Sequence, residues 1–128
     1  MKTALLKDGW AIVKDPLTLK VGGRSTYVDL GAEKLFAAEK DHQRIAVEVK
    51  SFIGSSPVRE LEQALGQYVM YSQILAKKEL GWLLYLAVPE ATWLDFFAEE
   101  LPQLMIELNN IKLLIFEPSK EEVIRWIS

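Results

Sequence analysis

The chain has 128 residues and a formal net charge of −3, which suits one globular domain better than two. Half of the residues are hydrophobic and 26% are charged, and these proportions exclude disordered, collagen-like and coiled-coil chains. The absence of cysteine excludes disulfides, cysteine nucleophiles and thiolate zinc sites. No apolar run reaches the roughly 18 residues of a membrane span, and the charged start is unlike a signal peptide. We therefore expect a single cytoplasmic domain over residues 1–128 that does not enter a membrane.

Charge is distributed unevenly along the chain. Residues 1–54 carry nine Lys/Arg and seven Asp/Glu, a balance of +2, whereas residues 55–128 carry six and eleven, a balance of −5. A polyanion such as DNA would therefore meet the N-terminal half first. Ordinary solvated surface explains the same imbalance equally well.

Turn residues divide the first part of the chain into short extended segments. Asp15-Pro16 and Gly22-Gly23 mark two turns, and a polar turn covers residues 40–43. The segment from Arg44 to Phe52 is the clearest strand, since it is rich in β-branched residues. The predicted strands are Trp10–Val13, Leu17–Val21, Thr26–Leu30, Leu35–Glu39 and Arg44–Phe52.

A long helix and an alternation of strands and helices follow. Ser56 and Pro57 supply an N-cap and a first-turn proline for a helix predicted over residues 57–78. Its apolar face, at the 3.6-residue period, consists of Leu61, Ala64, Leu65, Tyr68, Val69, Ser72 and Leu75. The remaining predicted elements are a buried strand at Leu83–Val88, helices at Ala91–Glu100 and Pro102–Asn109, and strands at Ile111–Glu117 and Val123–Ile127. This order predicts an α/β (α+β) domain with a mixed central sheet flanked by helices.

Two charged side chains interrupt the apolar strand before the long helix. Because side chains alternate along a strand, Ile45, Val47 and Val49 should point into a core. Glu48 and Lys50 should then lie side by side on the other face. An exposed sheet face with a weak ion pair, worth under about 1 kcal/mol, would also explain these two residues.

Two further features favour a functional site. Asp29 lies in an extended apolar segment nineteen residues before Glu48, and one hairpin would bring the two carboxylates together. Two carboxylates near a lysine could hold a hard divalent cation such as Mg²⁺. On the following helix, Gln63, Gln67 and Tyr71 are spaced by four residues and form a polar stripe at the edge of the apolar face.

These residues resemble a known nuclease core. Asp29, the run Glu48-Val49-Lys50 and the Gln67 to Tyr71 segment resemble the PD-(D/E)XK, or restriction-endonuclease-like, pattern with its Gln-x-x-x-Tyr helix, although Val28 replaces the usual proline. A closer resemblance is to the XisH family, the fdxN element excision controlling factors of cyanobacteria. The matching segments cover nearly the whole chain: Asp8–Trp10, Asp15–Thr18, Tyr27–Lys34, Ile45–Phe52, Gln63–Tyr68 and Leu86–Pro89.

The resemblance implies a restriction-endonuclease-like fold and DNA phosphodiester hydrolysis that depends on Mg²⁺ or Mn²⁺. It implies that the metal ligands are Asp29, Glu48 and the Val49 carbonyl. Lys50 would position the attacking water or stabilise the transition state, and Gln67 would support the site or face DNA. The implied catalytic set is thus Asp29, Glu48, Lys50 and Gln67, in a protein that controls excision of a DNA element.

A second hypothesis assigns the same fold to a non-catalytic scaffold. The family is tied to a second small factor, XisI, and to a recombinase, so the chain could act through such a partner without cutting DNA. The acidic C-terminal half, in which we expect Trp93, Phe96 and Phe97 to be exposed, suits an interaction surface. The sequence leaves open whether DNA is cleaved or only bound, and it leaves open the oligomeric state, a homodimer included.

Overall fold

The computed structural model of the protein describes residues 1–15, 17–21, 24–25, 34–78 and 81–128. The helices are α1 (Lys2–Lys7), α2 (Pro57–Lys77), α3 (Glu90–Leu94) and α4 (Glu100–Asn109), with a 3₁₀ turn at Phe96–Ala98. The strands are β1 (Ala11–Lys14), β2 (Lys20–Val21), β3 (Arg24–Ser25), β4 (Lys34–Lys40), β5 (Gln43–Val49), β6 (Leu83–Pro89), β7 (Leu113–Glu117) and β8 (Glu122–Ile127). Over these ranges, none of the helices combines the length and the apolar character that crossing a bilayer requires.

The main sheet has the strand order β1-β4-β5-β6-β7-β8. Its three central strands β5, β6 and β7 run parallel, while the pairs β1/β4, β4/β5 and β7/β8 are antiparallel. Parallel neighbours need a crossover connection, and α2 supplies it between β5 and β6 while α3 and α4 supply it between β6 and β7. The predicted mixed sheet flanked by helices is confirmed.

Each face of the sheet has its own apolar core. On one face, residues of α2 and of the 3₁₀ turn pack against the sheet, with Tyr71 and Phe97 among the fully buried side chains. On the other face, Leu5 of α1 packs with Trp10 and with Phe36 from β4. The sheet therefore separates two layers, and a side chain's position in a strand decides which layer it enters.

The strands and helices mostly follow the prediction, with differences at their ends. The strand predicted at Arg44–Phe52 ends at Val49. Phe52 cannot belong to it, because its φ of +56° lies outside the range of extended backbone. Within Leu17–Val21 only Lys20–Val21 is a strand. The strand predicted at Thr26–Leu30 lies outside the described residues.

The helix predicted at Ala91–Glu100 is wrong as a single element. α3 ends at Leu94, and Asp95 has a non-helical ψ of −84° before the 3₁₀ turn. This break directs Phe96 and Phe97 into the core, where both are buried. The expectation that these two phenylalanines are exposed is therefore wrong, because a turn that the apolar pattern did not reveal reorients them.

Candidate functional site

Strand β5 places Glu48 and Lys50 on the face of the sheet that α2 covers. Val47 and Val49 pack in the opposite core with Phe36, as strand alternation predicted. The other two side chains are not on an exposed face: Glu48 is 0% exposed and Lys50, just past the strand end, is 4% exposed. A solvated surface ion pair therefore does not explain them.

A short capped turn returns the chain from β5 over this same face. The backbone N–H of Gly54 donates to a Glu60 carboxylate oxygen at 3.1 Å, and the Ser56 hydroxyl accepts from the Arg59 N–H at 3.3 Å. Ser56 thus caps α2 as predicted, with Pro57 in its first turn. The turn fixes the direction in which α2 begins and so fixes which of its side chains meet Lys50.

Helix α2 presents polar residues to this interface. The Lys50 ammonium donates to the Gln63 side-chain carbonyl at 3.4 Å. Gln67 and Tyr71, one and two helical turns further on, are 3% and 0% exposed. The sequence pattern predicts Gln67 and Tyr71 at the edge of the apolar face and Val69 within that face. In the structure Val69 is exposed. The buried face of α2 is therefore rotated toward the polar stripe.

We call Glu48, Lys50, Gln63, Gln67 and Tyr71 the polar cluster. Gln63 contacts Lys50, and the charge of Glu48 acts on the Tyr71 hydroxyl, so the stripe on α2 follows the polar face of β5. Gln67 lies between Gln63 and Tyr71 on the same stripe; Gln67 and Tyr71 are buried, whereas Gln63 is exposed. Gln67 and Tyr71 therefore lie on the buried, sheet-facing side of α2.

The polar cluster is poor in internal hydrogen bonds. Among the described residues, both carboxylate oxygens of Glu48, both amide atoms of Gln67 and the Tyr71 hydroxyl are buried without a hydrogen-bond partner. Buried polar groups in folded proteins nearly always have partners, because an unpaired one costs roughly 1–3 kcal/mol. Five such atoms in one interface remain able to form further hydrogen bonds, and the two oxygens of Glu48 could also bind a cation.

Burial also changes the protonation of the cluster. It raises the pKa of Glu48 to about 8, while the nearby Lys50 charge acts in the opposite direction. It raises the pKa of Tyr71 to about 12, and the charge of Glu48 adds to this effect. In the described structure Glu48 therefore holds its proton through neutral pH, whereas a bound cation would favour its ionised form.

Asp29, the second acidic residue of the predicted site, lies outside the described residues, so its distance from Glu48 stays a prediction. Elsewhere in the described ranges, no group of three or more His, Cys, Asp or Glu side chains is placed to hold a metal ion. The polar cluster thus offers one carboxylate, that of Glu48. The sequence places Gln63 on the polar stripe with Gln67 and Tyr71 but does not reveal its partner, which in the structure is the Lys50 ammonium.

Together these features define a mixed α/β domain whose central strand and crossover helix enclose a buried acid, lysine and amide cluster. The family model described as "XisH protein" matches residues 1–124. The chain belongs to the XisH family.

Solved structures agree with this assignment. The chain is 44% identical to an XisH family protein from Nostoc punctiforme PCC 73102, with a TM-score of 0.90, covering 99% of this chain and 94% of that one. The same values hold for an fdxN element excision controlling factor protein from Anabaena variabilis. A search of the curated proteins finds no match.

Proposed function

We propose that this chain is a metal-dependent nuclease of the PD-(D/E)XK type that acts on DNA in the control of element excision. The similar Anabaena variabilis protein is named an fdxN element excision controlling factor, which supplies the biological context. The observation that carries the chemical part is the fully buried carboxylate of Glu48, which has no hydrogen-bond partner among the described residues and lies on the same sheet face as Lys50. This function requires a cytoplasmic location, where bacterial DNA lies.

The residues present fit a hard divalent cation. Mg²⁺ and Mn²⁺ prefer oxygen ligands, and the two oxygens of Glu48 are buried without partners among the described residues. In the proposal Asp29 and the Val49 carbonyl complete the protein's ligand set. When bound, the metal would lower the pKa of a water molecule and neutralise charge on the phosphate oxygens. Because Glu48 must lose its proton to bind a cation, metal affinity should rise with pH toward about 8.

Lys50 supplies the positive charge in this scheme. Lys50 is only 4% exposed and its ammonium donates to Gln63, so the side chain is held in place before substrate binds. A fixed charge in partly dehydrated surroundings interacts with a phosphate oxygen more strongly than a solvated one does. Lys50 therefore positions the attacking water or stabilises the pentacovalent transition state. Gln67 completes the set, holding the site in shape or contacting DNA.

Plasmid cleavage tests the proposal. Supercoiled DNA is incubated with the protein and Mg²⁺ or Mn²⁺, with and without an XisI-like partner. We expect nicking or linearisation by the wild type and a loss of at least about 100-fold in Lys50→Ala and Glu48→Ala. Lys77→Ala and Glu62→Ala, which alter exposed residues of α2, are the matched controls. Absence of cleavage under all conditions, or equal cleavage by Lys50→Ala, would contradict a nuclease.

A non-catalytic scaffold is the second candidate. The balance of −5 in residues 55–128 favours it, since a net negative surface repels DNA. In this case the chain would bind an XisI-like protein or a recombinase, and Lys50→Ala would bind that partner as well as the wild type. A pull-down with the purified partner and the plasmid assay together separate the two functions: partner binding without cleavage supports the scaffold, and cleavage that is lost in Lys50→Ala supports the nuclease.

A further inference from the structure

Helix α4 exposes a row of leucines. Leu101, Leu104 and Leu108 are 44%, 43% and 64% exposed. Their spacing of three and four residues puts them on one side of the helix, where they span about 10 Å. We call these three residues the leucine stripe.

The rest of α4 fixes the orientation of this stripe. Pro102 is buried, and Met105 and Ile106 pack against the core beneath α2. The Gln103 side chain donates to the Phe97 carbonyl and so joins α4 to the 3₁₀ turn. Since the helix is held by its other side, the leucine stripe cannot rotate into the core.

The surroundings of the leucine stripe are acidic. From Glu90 to Ile111 the chain has five Asp/Glu residues and no Lys or Arg. Two of them, Glu100 and Glu107, lie on α4 and flank the leucine stripe on the side away from the core. The surface thus combines an apolar row with a negative border.

We propose that the leucine stripe is a docking surface for a partner protein that presents an amphipathic helix with apolar residues flanked by Lys or Arg. Exposed apolar rows mark interaction sites, and helices recognise them through residues spaced by three and four. The acidic border decides the occupant: it repels DNA and a second copy of the same surface, and it attracts a basic partner.

This surface is separate from the polar cluster. The leucine stripe lies on the β6–β7 crossover, whereas Glu48 lies on β5 and Lys50 directly after it, both under α2. Docking at α4 is therefore compatible with a nuclease and with a scaffold, and it needs neither of them to be correct.

Two synthetic helical peptides test the proposal. Both carry leucines at the same three- and four-residue spacing, one with flanking lysines and the other with flanking glutamates. In fluorescence anisotropy the wild type should bind the lysine peptide at least about tenfold more tightly than the glutamate peptide. Replacing the leucines, Leu104→Gln with Leu108→Gln, should weaken binding by at least about tenfold. Val69→Gln, at an exposed apolar position of α2, should not.

Three results would overturn the proposal. One is no binding of the lysine peptide up to about 1 mM. Another is binding of the lysine peptide by the double leucine variant as tight as by the wild type, which would mean that charge alone and not the leucines holds the peptide. The third is a sedimentation result in which the wild type is a dimer and the double leucine variant a monomer, since a second copy would then cover the leucine stripe. Unchanged circular dichroism of the variant ensures that lost binding is not lost folding.

Discussion

Neighbouring residues of β5 point to opposite faces of the sheet, and these two faces differ in polarity. Val47 and its neighbours on one face meet Phe36 and Trp10 in an apolar core. On the other face, Glu48 begins an interface with five buried polar atoms that lack partners among the described residues. Burial of apolar surface stabilises a fold, and burial of unpaired polar groups destabilises it. Proteins usually keep the second arrangement only where function requires it.

The first way to test this comparison is to damage the apolar face. Phe36→Ala removes a fully buried aromatic side chain and leaves a cavity, so we expect a loss of about 3–5 kcal/mol in the free energy of unfolding. Gln67→Leu, on the polar face, should cost little or even stabilise, because it removes two buried polar atoms that have no partner in the part of the chain that the structure describes. Urea denaturation of both variants gives the numbers. Equal destabilisation by both would mean that the two faces contribute alike.

The second prediction uses the pH dependence of the polar face. Because the pKa of Glu48 is about 8 in the folded protein and near 4.5 in the unfolded chain, the folded state holds the proton over that interval. The contribution of Glu48 to stability should therefore fall as pH rises from about 4.5 to 8, by at most about 1.4 kcal/mol per pH unit. Above pH 8 it should stay constant.

Glu48→Gln removes this titration. Denaturation in metal-free buffer between pH 5 and 8 should show a shallower decline for the variant than for the wild type. Glu62→Gln, on the exposed side of α2, should keep the wild-type slope. Parallel curves for the wild type and Glu48→Gln would mean that Glu48 is ionised in the folded protein at neutral pH.

The third prediction concerns metal. If Glu48 is a ligand, Mg²⁺ or Mn²⁺ at one hundred times its Kd should stabilise the wild type by about 2.7 kcal/mol, a rise of several degrees in Tm. Glu48→Ala should lose this rise, whereas Lys50→Ala should keep most of it. Thermal unfolding with and without metal measures both. A rise of equal size in Glu48→Ala would place the ion elsewhere.

The sequence predicts those features of the fold and the site that depend on neighbouring residues, and it misses those that depend on contacts between distant segments. The alternation of β5 and the Ser56 cap of α2 are local, and both are confirmed. The burial of Gln67 and Tyr71 is not local, because a hydrophobic pattern assigns a polar residue to solvent unless its partner across the interface is known. These two side chains are buried because α2 packs on the face of the sheet that carries Glu48 and Lys50, which the pattern within the helix does not show.

The same reasoning explains the error at the C-terminal half. Apolar periodicity gave no sign that Asp95 interrupts the helix, so Phe96 and Phe97 were expected at the surface. The exposed large apolar side chains of that region are leucines instead: Leu94 on α3 and Leu101, Leu104 and Leu108 on α4. Which apolar residues are covered was decided by packing between distant segments, and a single chain's pattern does not contain that information.

The smallest expected effect comes from two tyrosines on the same helix. The Tyr68 hydroxyl donates to the Leu84 carbonyl and accepts from the Lys112 N–H, both at 3.0 Å, whereas the Tyr71 hydroxyl has no partner among the described residues. Tyr68→Phe removes both of these hydrogen bonds, one buried and one part-buried, and should cost about 1–2 kcal/mol. Tyr71→Phe removes an unpaired group and should be neutral or slightly stabilising. Each variant deletes a single oxygen atom, so the pair isolates hydrogen bonding from packing. A cost for Tyr71→Phe that matches the cost for Tyr68→Phe would show that the Tyr71 hydroxyl is paired in solution, and the polar cluster would then be a structural network and not a site that awaits a ligand.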